Sequence, residues 1–248
     1  MPYLYATERP DFSDLASGRV FYSSANYPAF PVRLASEIFH RCLSIRKNEG
    51  RSERFVLYDP CCGAGYLICV LGYLQRAEIK MVLGSDIDPE AAILAQRNLG
   101  LLHVDGIDRR QAEIVEMIRL YGKKSHHEAL ESCRVLRERI VELEISFPQS
   151  AFAFQANAFD ADILRKNLNG VQADLVLSDV PYGLRSEWQG QHSGDPIWEL
   201  LDSLIGILAP RGLVAIAADK QQKIAHDQYQ RIERFQIGKR RVVILKLV

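Results

Sequence analysis

The sequence has no charge surplus, no long apolar run and no regular cysteine pattern, and each absence excludes something. Lys and Arg total 31 against 31 Asp and Glu, a formal net charge of zero. That balance argues mildly against a nucleic-acid partner, since such proteins usually carry a visible basic excess. No stretch reaches the ~18 apolar residues of a membrane span, because the best one, "LIGILAPRGLVAIAA", is broken by Pro210, Arg211 and Gly212. The first residues, "MPYLYATERPDF", carry Glu8, Arg9 and Asp11 where a secretory signal needs an apolar stretch, so a cytoplasmic location is expected. The five cysteines are odd in number, with Cys61 and Cys62 adjacent and no spaced Cys or His pairs, which speaks against a disulfide framework and a zinc site. His103, His126, His127, His192 and His226 are scattered along the chain, so no metal is expected. What remains is an ordinary globular composition, 48% hydrophobic and 25% charged over 248 residues, expected to form one domain over 1–248.

From residue 55 onwards short apolar runs alternate with helical patterns. The runs are "FVLYD" (55–59), "MVLGSD" (81–86), "AFAFQA" (151–156), "ADLVLSD" (173–179) and "GLVAIAAD" (212–219). Nearly continuous apolar strands of this kind belong to a parallel sheet covered on both faces, and such sheets bind ligands beyond the carboxyl ends of their strands. The closing "RIERFQIGKRRVVILKLV" predicts two further strands joined at Gly238 and Lys239, too close together for a crossover helix and therefore antiparallel. The expectation is an α/β, Rossmann-like fold: a seven-stranded, mostly parallel sheet with an antiparallel C-terminal hairpin.

Two segments lie outside that alternation. An N-terminal helical extension (1–54) contains "YPAFPVRLASEIFHRCL", a helix starting near Pro31 with Leu34, Ile38 and Cys42 facing inward, placed to pack over the ligand end of the sheet. Residues 103–146 predict an inserted helical hairpin: Ile107, Ile114, Ile118 and Tyr121 recur at helical spacing, Gly122 stops the first helix, and Ser125 with Glu128 forms a capping box opening a second. The second helix carries Leu130, Cys133, Leu136, Ile140 and Leu143 on one face. Lys123, Lys124, His126 and His127 between them are most simply a solvated turn.

The chemistry sits at the strand ends. In "DPCCGAGYL" (59–67), Gly63 and Gly65 allow a tight turn and close approach of backbone to a ligand, and the helix that follows presents free N–H groups. A dinucleotide fingerprint wants a third glycine where Ile68 stands. Asp59 also suits a positive or hydrogen-bond-donating ligand end and would repel a pyrophosphate; S-adenosylmethionine offers an amino group and a sulfonium. Candidate cofactor residues here are Asp59, Pro60, Cys61, Gly63, Gly65 and Tyr66. Asp86, ending "GSD", is placed to accept both ribose hydroxyls, with Ile87 beside it, while Asp88 before Pro89 reads as a helix N-cap. Asn157 and Ala158 follow the third run, where an amide oxygen can accept from an adenine amino group with Phe159 or Ile87 flanking the ring; a lone Asn there is also a common turn residue.

The fourth run ends "SDVPYGLRSEW" (178–188), which resembles the D/N-P-P-Y/F signature of methyltransferases acting on exocyclic or amide nitrogens. An aryl amine nucleophile has its lone pair drawn into the ring. Acceptors at the Asp179 carboxylate and the Val180 or Pro181 carbonyl would hold its hydrogens and turn the pair toward a methyl group, while Tyr182 stacks on the extruded base. Asp179, Pro181 and Tyr182 are thus the candidate catalytic set, with Asp179 also bordering the cofactor.

Together, "DPCCGAGYL", "GSDIDP" and "DVPYG" resemble class I RNA guanine methyltransferases. With "YPAFPVRLASEIF", "DVPYGLRSEWQGQ", "IGKRRVVIL" and a helical insertion after the second strand, the whole chain is similar to the AviRa family of avilamycin-resistance ribosomal RNA methyltransferases. The resemblance implies S-adenosylmethionine-dependent methylation of a guanosine base nitrogen in large-subunit (23S) ribosomal RNA, and resistance to an orthosomycin-type antibiotic that targets the ribosome. Asn157 stands where that family tends to carry Asp. A monomer working on ribosomal RNA, away from membranes, is expected.

The RNA face is expected from Arg33, Arg185, Trp188, Arg234, Lys239, Arg240 and Arg241. Residues 219–248 hold eight Lys or Arg against three acids, so the zero net charge is an average over unlike halves. Trp198 is expected in the core. Cys61 and Cys62 invite a nucleophile reading, but they lie in the cofactor loop and read as small turn-filling residues. Two rival functions share the motif: N-methylation of another RNA, a DNA amino group or a protein glutamine, and a non-catalytic methyltransferase-like RNA-binding module.

Overall fold

The computed structural model describes residues 3–142, 150–181, 188 and 194–248. The central sheet has seven strands: β1 (Phe55–Asp59), β2 (Ile79–Asp86), β3 (Ser150–Gln155), β4 (Ala173–Asp179), β5 (Leu208–Asp219), β6 (Tyr229–Ile237) and β7 (Arg240–Leu247). Their spatial order is β3-β2-β1-β4-β5-β7-β6. β1 to β5 pair in parallel, and β7 runs antiparallel to both β5 and β6. This is the expected α/β sheet with its C-terminal hairpin. Two-sided burial explains the unbroken apolar runs: along β1, Phe55 and Leu57 pack into one core cluster while Val56 and Tyr58 pack into the other.

One face is covered by α1 (Val32–Asn48), α2 (Tyr66–Leu74) and α3 (Pro89–Gly100), and the opposite face by α6 (Ala161–Leu168) and α7 (Pro196–Leu204). α1 starts one residue after Pro31 and buries Leu34, Ile38 and Cys42 as its spacing implied. It runs against the strand direction: Arg46 near its end meets Asp174 at the start of β4, whereas Phe30 just ahead of it lies under Arg240, beyond the carboxyl end of β5. The helix therefore lies along the sheet, and the stretch before it reaches the ligand end. Buried Glu37 on α1 ties down the chain start by accepting the Leu4, Tyr5 and Ala6 amides at 2.8 Å each and the Arg41 guanidinium. Nothing in the residue pattern announced this clamp.

The insertion forms two antiparallel helices, α4 (Val104–Tyr121) and α5 (Lys124–Glu142), with Gly122 in the left-handed conformation at the end of α4. Gly106 is required where α4 crosses the end of α3, since a Cβ there would lie 1.9 Å from the Gly100 carbonyl oxygen. The pair packs on α2 and the N-terminal segment. Tyr73 donates to the Leu136 carbonyl, Arg110 to the Val20 carbonyl, and Ser132 to Asp14. Ile107, Ile114, Cys133, Leu136 and Ile140 are buried, but Tyr121 is exposed. The Ser125 capping box does not form: α5 already begins at Lys124, with the His126 amide bonded to the Lys123 carbonyl, so Ser125 is a solvent-facing helix residue. Leu143 lies outside the described residues. No helix among the described residues is long and apolar enough to cross a membrane.

Candidate functional site: three aspartates and an arginine at the strand ends

Asp59, Asp86 and Asp179 end β1, β2 and β4, so parallel pairing alone brings three carboxylates to one edge of the sheet. After Asp59 the chain turns tightly, with the Cys62 amide donating to the Ser85 carbonyl and the Gly65 amide to the Cys62 carbonyl. Gly65, at φ +70°, caps α2 and lets it abut α3; a Cβ there would come within 3.0 Å of Ala95. Gly63, also at positive φ, donates its amide to Asp86 Oδ2 at 2.8 Å. Asp86 Oδ1 accepts the Asp88 amide. Asp88 caps α3 as expected, accepting from Glu90.

Asp59 is 2% exposed and accepts the Cys61 amide at 3.0 Å. Burial lifts its carboxyl to about 7, with the Asp86 and Asp179 charges adding to the rise and the Ser178 hydroxyl and Cys61 amide opposing it. Burial also raises Asp86. Among the described residues no cation lies within ion-pair distance of Asp59, so the site holds a buried acid without a counter-charge. Cys61 and Cys62 are held well above the ordinary thiol range by burial, which keeps them protonated and unsuited to attack. Pro60 is buried, its carbonyl accepting from Ser85.

Tyr66 departs from the expectation of a cofactor contact through its side chain. Its ring meets Phe21 edge-on and its hydroxyl donates to the Leu15 carbonyl at 2.5 Å, so it pins the N-terminal segment to α2. A different tyrosine, Tyr27, covers the turn: its Cβ lies 3.6 Å from the position of a Cβ on Gly63, and its hydroxyl donates to Asp88 Oδ2. The sequence around it, "SSANYPAF", offers no distinguishing signal.

Beyond β3, the Asn157 oxygen accepts the Phe159 amide at 3.1 Å, so that oxygen builds the turn and the amide nitrogen is what it offers a ligand. Ala158 is buried, and its carbonyl accepts from Ser203. Half-buried Ile87 stands after Asp86. Trp188 packs its ring on Phe159, with centroids 5.5 Å apart, which places it inward at this aromatic corner instead of on an outer RNA face.

At the end of β4, Asp179 meets Arg240 side-on: Nε to Oδ1 is 3.2 Å and Nη2 to Oδ2 is 3.3 Å. Burial raises the Asp179 carboxyl and Arg240 opposes that rise. Val180 is fully buried with its amide on Ala217, while the Pro181 carbonyl accepts Gln222 Nε2 at 3.0 Å. Gln222 also accepts the Asp219 amide, and its carbonyl accepts from Arg241. This residue, unforeseen in the sequence, fastens the β5–β6 connection to the Asp-Val-Pro stretch after β4. Tyr182 and Arg185 lie outside the described residues.

The basic residues divide by partner. Arg33 bonds the Ala6 and Thr7 carbonyls and covers Tyr3, so it braces the N-terminal segment instead of facing RNA. Arg240 and Arg241 turn inward, as described above. Arg234 and Lys239 are exposed, Lys239 in the β6–β7 turn that strand polarity sets at the ligand end. Trp198, expected in the core, is 41% exposed because Asp195 caps α7 and holds Trp198 in its outer first turn, where the indole packs on His226 at 4.4 Å.

This geometry matches known proteins along its whole length. The family model for the rRNA methyltransferase AviRa matches residues 1–240. The chain belongs to the AviRa family of rRNA methyltransferases. A 23S rRNA (guanine(2535)-N(1))-methyltransferase of Streptomyces viridochromogenes is 41% identical over 98% of this chain and 95% of that protein. The solved rRNA methyltransferase AviRa from the same organism superposes with a TM-score of 0.88 at 40% identity, covering 99% of this chain and 96% of the other. TrmN from Thermus thermophilus, 14% identical, shares the fold at a TM-score of 0.51 over 90% of this chain. The family, the sheet architecture and the methyltransferase activity expected from the motifs are therefore borne out.

Proposed function

We propose that this chain transfers a methyl group from S-adenosylmethionine to N1 of a guanine in 23S ribosomal RNA. The observation that carries this reading is the set of aspartates on neighbouring strands, one without a cation and one heading the Asp-Val-Pro motif. S-adenosylmethionine fits the first part of the set. Asp59 is a buried acid suited to a positively charged amino-acid end, Gly63 and Gly65 keep the turn free of side chains, and Asp86 borders the same turn as an acceptor for ribose hydroxyls. Ile87, Ala158 and the Phe159–Trp188 pair supply apolar walls for an adenine ring. When bound, the cofactor supplies an electrophilic methyl on a sulfonium.

Asp179 faces the target nitrogen, and the Gln222 contact leaves the Val180 carbonyl as the other main-chain acceptor of the motif. Positioning the nitrogen in line with the methyl carbon supplies most of the rate. RNA is held by exposed cations at the same end, Lys239 with Lys220 and Lys223 of the β5–β6 connection, and by Arg234 along the edge strand β6.

Incubating the protein with labelled S-adenosylmethionine and unmodified large-subunit rRNA, then mapping the product, tests the reading. The expected product is 1-methylguanine at one position. Label on ribose, on another base, or on DNA or protein glutamine and not on rRNA overturns it.

A further inference from the structure

The Asp179–Arg240 pair is built for more than holding a hairpin. Its contacts, at 3.2 and 3.3 Å, are longer than the ~2.7–2.9 Å of a fully closed guanidinium–carboxylate pair. Each side chain keeps about a quarter of its surface open, 24% for Arg240 and 22% for Asp179, so neither is sealed from solvent. Arg240 is also fixed at its root. It is the first residue of β7, registered against Asp219 of β5 on one side and Ile237 of β6 on the other, with the Phe30 ring 5.0 Å from its guanidinium carbon. A cation held this way by the sheet is preorganised.

We infer that Arg240 and Asp179 together read the Watson–Crick edge of the target guanine, Arg240 donating to O6 while Asp179 takes the N1 proton. This rests on the guanine reading above and adds the residue that selects the base. Guanine presents an acceptor, O6, beside a donor, N1–H, which complements a guanidinium beside a carboxylate. Adenine presents a donor amine beside a lone pair, so the same two groups would face like against like.

The chemistry follows from that pairing. The N1 electron pair is free to attack only once the proton is lost. As N1–H passes its proton to Asp179, negative charge spreads onto O6, and Arg240, protonated at every working pH, stabilises it there. The N1 pair then forms the bond to the methyl carbon as the S–CH3 bond breaks, its electron pair remaining on sulfur. The base ends neutral, and Asp179 later returns its proton to water. While Arg240 pairs with Asp179 it opposes the upward pull of burial on that carboxyl; once its donors are shared with O6 that opposition weakens and burial favours proton uptake.

The test compares wild type, Arg240→Gln and Arg240→Lys on the rRNA fragment that wild type modifies, and on the same fragment carrying 2-aminopurine, which lacks O6 and N1–H, at the target position. For Arg240→Gln the expected result is a kcat lower by about 10²–10³-fold, the usual effect of removing one charge-stabilising donor. S-adenosylmethionine affinity by tryptophan fluorescence should be unchanged. The deficit should shrink as pH rises toward the ionisation of free guanine N1, and Arg240→Lys should recover part of the rate. In binding, wild type should favour the guanine fragment over the 2-aminopurine fragment, and Arg240→Gln should lose that preference. A loss confined to KM, a deficit equal at every pH with a lowered unfolding midpoint, or an unchanged base preference overturns the inference and leaves Arg240 a strand anchor. Failure of wild type to methylate guanine at all would instead overturn the proposed function.

Discussion

Asp59 and Asp179 end adjacent strands in the same sheet, yet their carboxylates are balanced in opposite ways. Asp59 is sealed in, accepts one amide and has no cation near it among the described residues; Asp179 is partly open and paired with Arg240. The difference is instructive because a buried acid without a counter-ion costs the fold stability, whereas a bidentate pair satisfies itself. The first arrangement persists where a ligand brings the missing charge. The second can exchange its partner for a substrate that presents the same pattern. On the proposed reading, one edge of the sheet thus separates into a cofactor half, at β1 and β2, and a base half, at β4, β5 and β7.

Breaking each half separately should give unlike failures. The largest effect is expected from Asp179→Ala, which removes the group proposed to face the target nitrogen: kcat should fall by at least about 10³-fold, with S-adenosylmethionine affinity within a few-fold of wild type by fluorescence titration. Next comes Asp59→Asn, which should weaken cofactor binding by about 10²-fold, in line with a buried charged hydrogen bond worth ~1.5–3 kcal/mol. The same substitution should stabilise the empty protein. The folded-state carboxyl, at about 7, lies above the ~3.9 of an unfolded chain, so the fold binds more protons at this site and the contribution of Asp59 to stability declines as pH rises from about 4 to 7. Asp59→Asn removes that decline, so its unfolding midpoint should exceed wild type at pH 8 and match it near pH 4.

Gln222→Ala probes the support of the motif. Losing its bond to the Pro181 carbonyl should lower kcat about tenfold, or ~1.4 kcal/mol, while KM for RNA and cofactor affinity hold. The smallest effects are expected at the rim. Lys239→Ala and Arg234→Ala should each reduce the slope of log affinity against log salt by about one unit on RNA of any sequence. A base-specific effect at either residue would move the boundary between the two halves.

The halves also differ in how much of them the sequence displayed. The turn at Gly63 and Gly65, the cap at Asp88 and the strand-ending Asp86 are fixed by neighbours within a few residues or by the next strand, and their spacing announced them. Strand polarity likewise followed from run length and from the short Gly238–Lys239 connection. The base half is assembled by contacts between distant segments: Arg240 meets Asp179 across 61 positions and Gln222 meets Pro181 across 41. Nothing local distinguishes Arg240 from Arg234 or Lys239, and all three read as phosphate contacts until the sheet turned one of them inward. The same limit hid Tyr27 over the glycine turn and Glu37 under the N-terminal amides. The Ser125 capping box shows the converse, a pattern that matched locally while a helix start two residues earlier than the box implies made it irrelevant. Trp198 was misplaced because its cap sets it in the outer first turn of α7, which apolarity alone does not reveal.

The most direct test of this division is the S-adenosylmethionine affinity of wild type, Asp59→Asn and Asp179→Asn measured from pH 5.5 to 8.5. With Asp59 titrating at about 7, wild-type affinity should fall close to tenfold per unit on the acid side and level off above. Asp179→Asn should keep a profile of that shape with its midpoint moved to lower pH, since it removes a charge that raises Asp59, and Asp59→Asn should be weak and flat. A flat wild-type profile, or a profile abolished by Asp179→Asn and kept by Asp59→Asn, would contradict the assignment of the two carboxylates.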